Sequence, residues 1–306
     1  MSGSFSWNLL ADLKDMWSLA FMVNAFRAGT IAAVLAGPVG WFMVIRRQNF
    51  AGHTLAVVGF PGAAGAIWAG VSIAYGYFAF CLLGALAIAI LPGSGGGSDG
   101  SAGRGDDADA SAITGTVQAF VLATGMAFLA WYGGFLDSAT SLLFGSFLGI
   151  TTSQVTVLAA VAVMSVAGLG LIGRALLFAS IDPYVARARG LPTRWLGFGF
   201  LVLLALTVAE VGQITGALLV FALLVLPAAT AQRLTARPGL GVAVSVVLAV
   251  VTVWTALFVG YYSPYPIGFW LTSVAFAGYV AAHAGGHVRD RLATRTPRRP
   301  APAVAR

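Results

Sequence analysis

Few side chains in this sequence are able to do chemistry inside an apolar chain. The ionisable residues within or near the long apolar runs are Arg27, His53, Asp137 and Glu210. Each is costly in hydrocarbon, so each is a functional candidate by default. His53 follows Gly52, shortly after Arg46-Arg47-Gln48. A neutral imidazole is a common ligand for zinc and suits other transition metals. The alternative is an interfacial histidine hydrogen-bonded to backbone, and position alone does not choose between them. Glu210, the only glutamate in the chain, is expected near the outer mouth between two spans. There it either guides a cation inward or sits in headgroup water. His283 and His287 share one helix face, next to Arg289. They fall at an expected cytoplasmic helix end, where cations are favoured without any ligand role. Asp137 is expected in a solvated outer loop, and Arg27 snorkels at the outer interface.

Standard catalytic patterns are absent from the sequence. There is no GxxxxGK[ST] phosphate loop, no HExxH, no CxxC and no GxSxG. One cysteine, Cys81, rules out an intrachain disulfide framework, and with only three histidines beside it a four-ligand Cys/His structural zinc site is nearly impossible to assemble.

The elements that must position these residues are membrane spans. Of 306 residues, 59% are hydrophobic and 9% charged, against about 25% charged in a soluble domain. The mean hydropathy is +0.89. Apolar runs at 18–45, 53–74, 76–92, 113–133, 151–173, 195–211, 214–231, 240–261 and 267–286 are each read as a crossing of roughly 30 Å of hydrocarbon. The expected fold class is all-α, a polytopic membrane protein with about nine transmembrane helices.

The excess of 17 Lys+Arg over 10 Asp+Glu could indicate nucleic acid, but the placement of the charges argues otherwise. Basic residues cluster in the gaps after alternate spans: Arg46-Arg47, Arg104, Arg174 to Arg194, Arg233 and Arg237, then Arg289 to Arg306. With the N-terminus outside and the C-terminus inside, every basic loop is cytoplasmic. Adding or dropping one helix would put several arginine clusters outside. The first 16 residues carry Asp12, Lys14 and Asp15 and do not read as a cleaved signal peptide.

Residues 1–17 are thus an expected extracytoplasmic segment, 18–286 the transmembrane domain and 287–306 a basic cytoplasmic tail near anionic lipid. Residues 93–112 are a Gly/Ser/Asp linker expected to be disordered and cytoplasmic. The 195–231 region must fit two crossings into a short stretch.

Two further motifs carry structural signals. In Ser180–Arg194, Asp182-Pro183 is a helix start, with Asp as N-cap and Pro at the first position. Gly190 followed by Leu191-Pro192 is a stop. A two-turn cytoplasmic helix over about 183–189 follows. It is either a dock for an ATPase partner or a plain capped loop. Within the second span, Pro61-Gly62 is expected to kink or open the helix beside His53; small-residue packing is an equally compatible reading.

Several stretches in series resemble the permease subunits of the metal-type ABC importers, the zinc/manganese/iron uptake family. They are Phe21–Gly29 (FMVNAFRAG), Gly40–Arg47 (GWFMVIRR), Phe50–Gly62 (FAGHTLAVVGFPG), Ser141–Ser146 (SLLFGS), Ala186–Gly190 (ARARG) and Val211–Ala231 (VGQITGALLVFALLVLPAATA). Together they cover about 18–285.

The resemblance implies a bacterial plasma-membrane permease without a catalytic site or stably bound cofactor. It implies a homodimer with two separate ABC ATPase subunits and an extracytoplasmic metal-binding protein, surrounded by lipid. The ATPase would dock through Asp182, Ala186, Arg187 and Gly190. The family's second-helix motif, F-x-G-D-A-L-S-H-A-x-x-P-G, places its Asp on His53 and its His on Val57. One ligand of a changed type remains, a transient pore ligand, with Glu210 as a further candidate. An imidazole replacing a carboxylate suits zinc better than manganese, which prefers oxygen. Manganese or iron import by the same kind of permease is the alternative. A gradient-driven secondary transporter is less favoured, because such proteins usually need several intramembrane carboxylates.

Overall fold

In the computed structural model, residues 15–90, 104–132, 141–145 and 147–295 are described. Among them there are helices and turns and no strand. The helices are α1 (Ala20–Ile45), α2 (Asn49–Trp68), α3 (Ile73–Ile90), α4 (Arg104–Tyr132), α5 (Thr152–Ile181), α6 (Pro183–Ala188), α7 (Thr193–Thr215), α8 (Val220–Leu234), α9 (Pro238–Tyr262) and α10 (Ile267–Arg295). A helix satisfies its backbone polar groups internally, which is why uncharged runs take this form in lipid. Seven described helices are long and apolar enough to cross a membrane, and Gln118–Tyr132 and Val220–Leu234 are shorter apolar helices. The chain is an all-helical membrane protein.

The core gathers on α1 and α7. Helix α1 packs against α9, α8, α5 and α7, while α2 lies against α3, α4 and α7. Small residues let these helices approach closely. A Cβ on Gly62 or Gly76 would run into the other's carbonyl oxygen, which locks α2 to α3. A Cβ on Gly40 would meet the carbonyl oxygen of Leu224, so α1 and α8 touch backbone to backbone. Large hydrophobics such as Leu83, Val163 and Leu171 stay exposed, as a lipid-facing surface requires.

Three differences from the sequence reading stand out. Helix α4 starts at Arg104, so 104–112 of the expected linker belongs to a helical element; 93–103 lies outside the described residues. Helix α10 runs on to Arg295, so much of the expected tail continues the last helix. Residues 296–306, 1–14 and Asp137 lie outside the described residues. The third difference concerns Pro61. Helix α2 continues through it without interruption, and both Pro61 and Gly62 are buried. Pro61 removes one donor, but tight packing against α3 holds the flanking turns in place.

The interruption falls instead between α7 and α8. Gly216 has φ +82, a left-handed conformation that glycine adopts without a Cβ penalty. Residues 216–219 form a turn, and Ala217 N–H and Leu218 N–H donate to the Leu142 and Leu143 carbonyls at 3.0 and 3.2 Å. Gly145 and Gly216 are pressed together, and a Cβ on either would strike the other strand's backbone. The 141–145 turn therefore supplies acceptors for a segment that has left its helix; irregular backbone in a membrane protein is tolerated where it is buried in protein or lines a cavity.

Candidate functional site

His53 lies in the first turns of α2, exposed on the surface of this chain. Its ring meets Phe221 edge-on, with centroids 5.2 Å apart. Four residues earlier on the same face sits Asn49, whose Oδ1 is buried without a hydrogen-bond partner. The sequence reading missed Asn49. The signal was present, since Asn and His four apart on a helix put an oxygen and a nitrogen donor one above the other. A neutral Asn at a helix start looks like an ordinary end residue, however, and only the orphaned Oδ1 marks it out.

Glu210 does not sit at the turn between α7 and α8. Helix α7 continues to Thr215, past the expected end at 211, because Gly216 and not Gly212 breaks it. Glu210 is therefore inside the helix, 3% exposed, with Oε2 buried and unpartnered. Thr207, three residues earlier, is fully buried and donates back to the Leu203 carbonyl at 2.8 Å. Gln213, three residues later, donates to the Ala209 carbonyl at 3.0 Å. Neither is spent on the carboxylate. An isolated carboxylate in such surroundings is expensive unless it shares a proton or a cation.

Tyr77 and Cys81 on α3 are buried against the same elements. Tyr77 donates to the Leu142 carbonyl at 3.3 Å, and Cys81 Sγ lies 3.6 Å from the Leu55 carbonyl. Tyr77 also fills the space beside Gly59 and Gly212. The three helices α2, α3 and α7 are thus fitted around one aromatic ring at the level of the 141–145 turn. Among the described residues no group of three or more His, Cys, Asp or Glu stands ready to hold a metal. His53 and Glu210 do not form a closed cage within one chain.

The α6 corner is built as the spacing predicts. Asp182 caps Pro183–Ala188, and its Oδ1 accepts from Val185 N–H at 2.9 Å. Gly190, with φ +76, ends it, and Gly190 N–H and Leu191 N–H return to the Arg187 and Ala186 carbonyls at 2.9 and 3.1 Å. Ala186 is fully buried, while Tyr184 and Val185 are 73% and 41% exposed. The Arg187 guanidinium lies 5.6 Å from the Tyr184 ring centroid. The helix thus buries one small face and presents an aromatic and a β-branched side chain outward.

Arg46, treated above as a charge in a basic gap, is more than that. Its Nε donates to Gln48 Oε1 and its Nη1 to Ser180 Oγ, both at 3.2 Å. Its Cζ lies 5.4 Å from the Phe200 ring centroid. Partial burial lowers its pKa below the ordinary arginine value, and a guanidinium still keeps its charge at neutral pH.

A bundle of apolar helices, an irregular segment between α7 and α8 and a capped surface helix between two spans define a polytopic membrane protein. The chain belongs to the ABC 3 transport family, whose model matches residues 18–285. It is 26% identical to the manganese transport system membrane protein MntC of Listeria innocua, over 73% of this chain and 75% of that protein. To the manganese import system permease protein ScaB of Streptococcus gordonii it is 27% identical, over 72% of this chain and 74% of the relative. Its fold is similar to that of PsaBC from Streptococcus pneumoniae, solved in complex with Fab. The TM-score there is 0.75 at 23% identity, covering 90% of this chain and 95% of that one. The chain is a permease of the metal-type ABC importers.

Proposed function

We propose that this permease imports manganese(II), driven by ATP hydrolysis on separate subunits. In this reading two copies form the pathway, two ATPases dock on their α6 helices, and an extracytoplasmic binding protein delivers the ion. Transport runs toward the arginine-rich side, with the N-terminus outside and the C-terminus in the cytoplasm. The relatives' names support manganese over the zinc that the His53 imidazole suggested by itself. The observation that carries the choice is that one oxygen on α2 and one on α7, Asn49 Oδ1 and Glu210 Oε2, are buried without a partner. Oxygen donors suit manganese, and an imidazole ligand is compatible with them.

In the proposed mechanism His53 takes the ion transiently, with Asn49 Oδ1 on the same face. Because His53 is exposed on a single chain, the second copy completes the ligand set there. Glu210, buried within α7, offers a further carboxylate deeper in the protein. A site with few ligands releases its ion readily, as conduction requires. The exposed Tyr184 and Val185 give the ATPase a small apolar contact. The test is uptake into cells or proteoliposomes holding the complete complex. Manganese uptake that zinc fails to replace is expected; zinc uptake with no manganese uptake would sink the choice of metal.

A further inference from the structure

Arg46 joins three parts of the molecule. Gln48, its first partner, is 4% exposed and forms the start of α2: its carbonyl accepts from Gly52 N–H at 3.1 Å. Gly52 immediately precedes His53. Ser180, its second partner, lies in the last turn of α5, two residues before the Asp182 cap of α6. Ser180 Oγ also donates to the Leu176 carbonyl at 2.5 Å, which fixes it on α5. Phe200, its third partner, is fully buried on α7, the helix that leaves α6 on the other side. A Cβ on Gly197 of α7 would lie 3.5 Å from Arg46 Nη2. The guanidinium therefore touches both helices that flank α6 and the turn that begins α2. That turn is short and fixed. Arg47 holds φ +56 and Gln48 N–H donates to the Met43 carbonyl at 2.9 Å.

We propose that Arg46 is a positioning residue that couples α6 to the His53 end of α2. A push on α6 moves Ser180 and Phe200, these carry the guanidinium, and the guanidinium carries Gln48 and the first turn of α2. The plainer alternative is a topology anchor that needs only positive charge. The two differ in what a lysine achieves. An anchor accepts Lys, whereas a planar fork that donates to two partners and lies against a ring does not. The inference rests on the importer reading above.

The experiment reconstitutes the whole complex with its ATPase and binding protein and measures manganese(II) taken up per ATP hydrolysed. For Arg46→Lys, ATP hydrolysis should stay near the wild-type rate while uptake per ATP falls about tenfold, within the usual range of site-to-site coupling. Ser180→Ala removes one leg and should lower the ratio less. A wild-type ratio in Arg46→Lys overturns the proposal and leaves Arg46 an anchor. If that variant fails to insert, an unchanged ratio in Ser180→Ala overturns it equally. A parallel loss of hydrolysis and uptake also counts against it, since that is what a purely structural role gives. A wild-type complex with no ATP-driven uptake of any divalent metal defeats the importer reading first, and this inference with it.

Discussion

The α6 corner and the His53–Glu210 region are made from the same apolar bundle, yet they treat polar groups in opposite ways. At the corner, Asp182 has its amide, Gly190 closes the helix, and Arg46 meets an amide oxygen, a hydroxyl and a ring. Around α2 and α7, Asn49 Oδ1 and Glu210 Oε2 are buried with no partner. A satisfied network is rigid and transmits force, while unsatisfied oxygens hold capacity for a ligand that comes and goes. The division fits a machine that takes its work at one place and holds its cargo at another.

The comparison breaks most visibly at Gly216. Gly216→Val puts a β-branched residue at a left-handed φ and against the 141–145 turn. Strain and overpacking should together cost about 3 kcal/mol or more. The melting temperature of the detergent-purified protein should fall sharply, and a small shift would show that the α7–α8 break is pliable.

His53→Ala tests the pathway side directly. Manganese uptake should drop on the order of 100-fold, at least what outer-shell changes cost metal sites, with ATP hydrolysis retained. Unchanged uptake removes His53 from the pathway.

Glu210→Gln keeps the shape and discards the charge. Because an unpaired buried carboxylate is a liability, thermal stability should hold or rise, while uptake falls about tenfold. Loss of both stability and uptake would make Glu210 a structural residue and blur the contrast between the regions.

Asp182→Ala is the mildest. Losing the cap of a short helix costs about 1 kcal/mol. The expected result is weaker binding of the ATPase, read by pull-down of the complex, with manganese binding at the pathway unaltered. A change in manganese binding would show that the two regions are not separable at this level.

Much of α6 was legible beforehand because its signals are local. An Asp-Pro start and a Gly-Leu-Pro stop act within a few residues, and the observed Pro183–Ala188 follows them. Glu210 was expected between two spans and lies inside α7, because its place depends on where that helix ends. Gly212 and Gly216 are both plausible stops in sequence, and only Gly216 takes the left-handed φ. Pro61 was expected to kink or open α2, or to pack with small residues; the helix stays uninterrupted, and Gly62 and Gly76 hold it against α3. Asn49 gave almost no signal, since an orphaned oxygen is a property of what surrounds it.

The sequence by itself determined that the chain is an all-helical membrane protein, which ends carry the arginines, and where the capped helix α6 begins. Those follow from the cost of charge in hydrocarbon and from short-range capping, and both are written in adjacent residues. Tertiary structure alone decided that Glu210 is buried, that Asn49 shares a face with His53 with its oxygen unpaired, and that Arg46 bridges Gln48, Ser180 and Phe200. Each of those joins residues far apart in the chain or depends on the packing around one atom, and close packing of small residues, not local preference, fixes both.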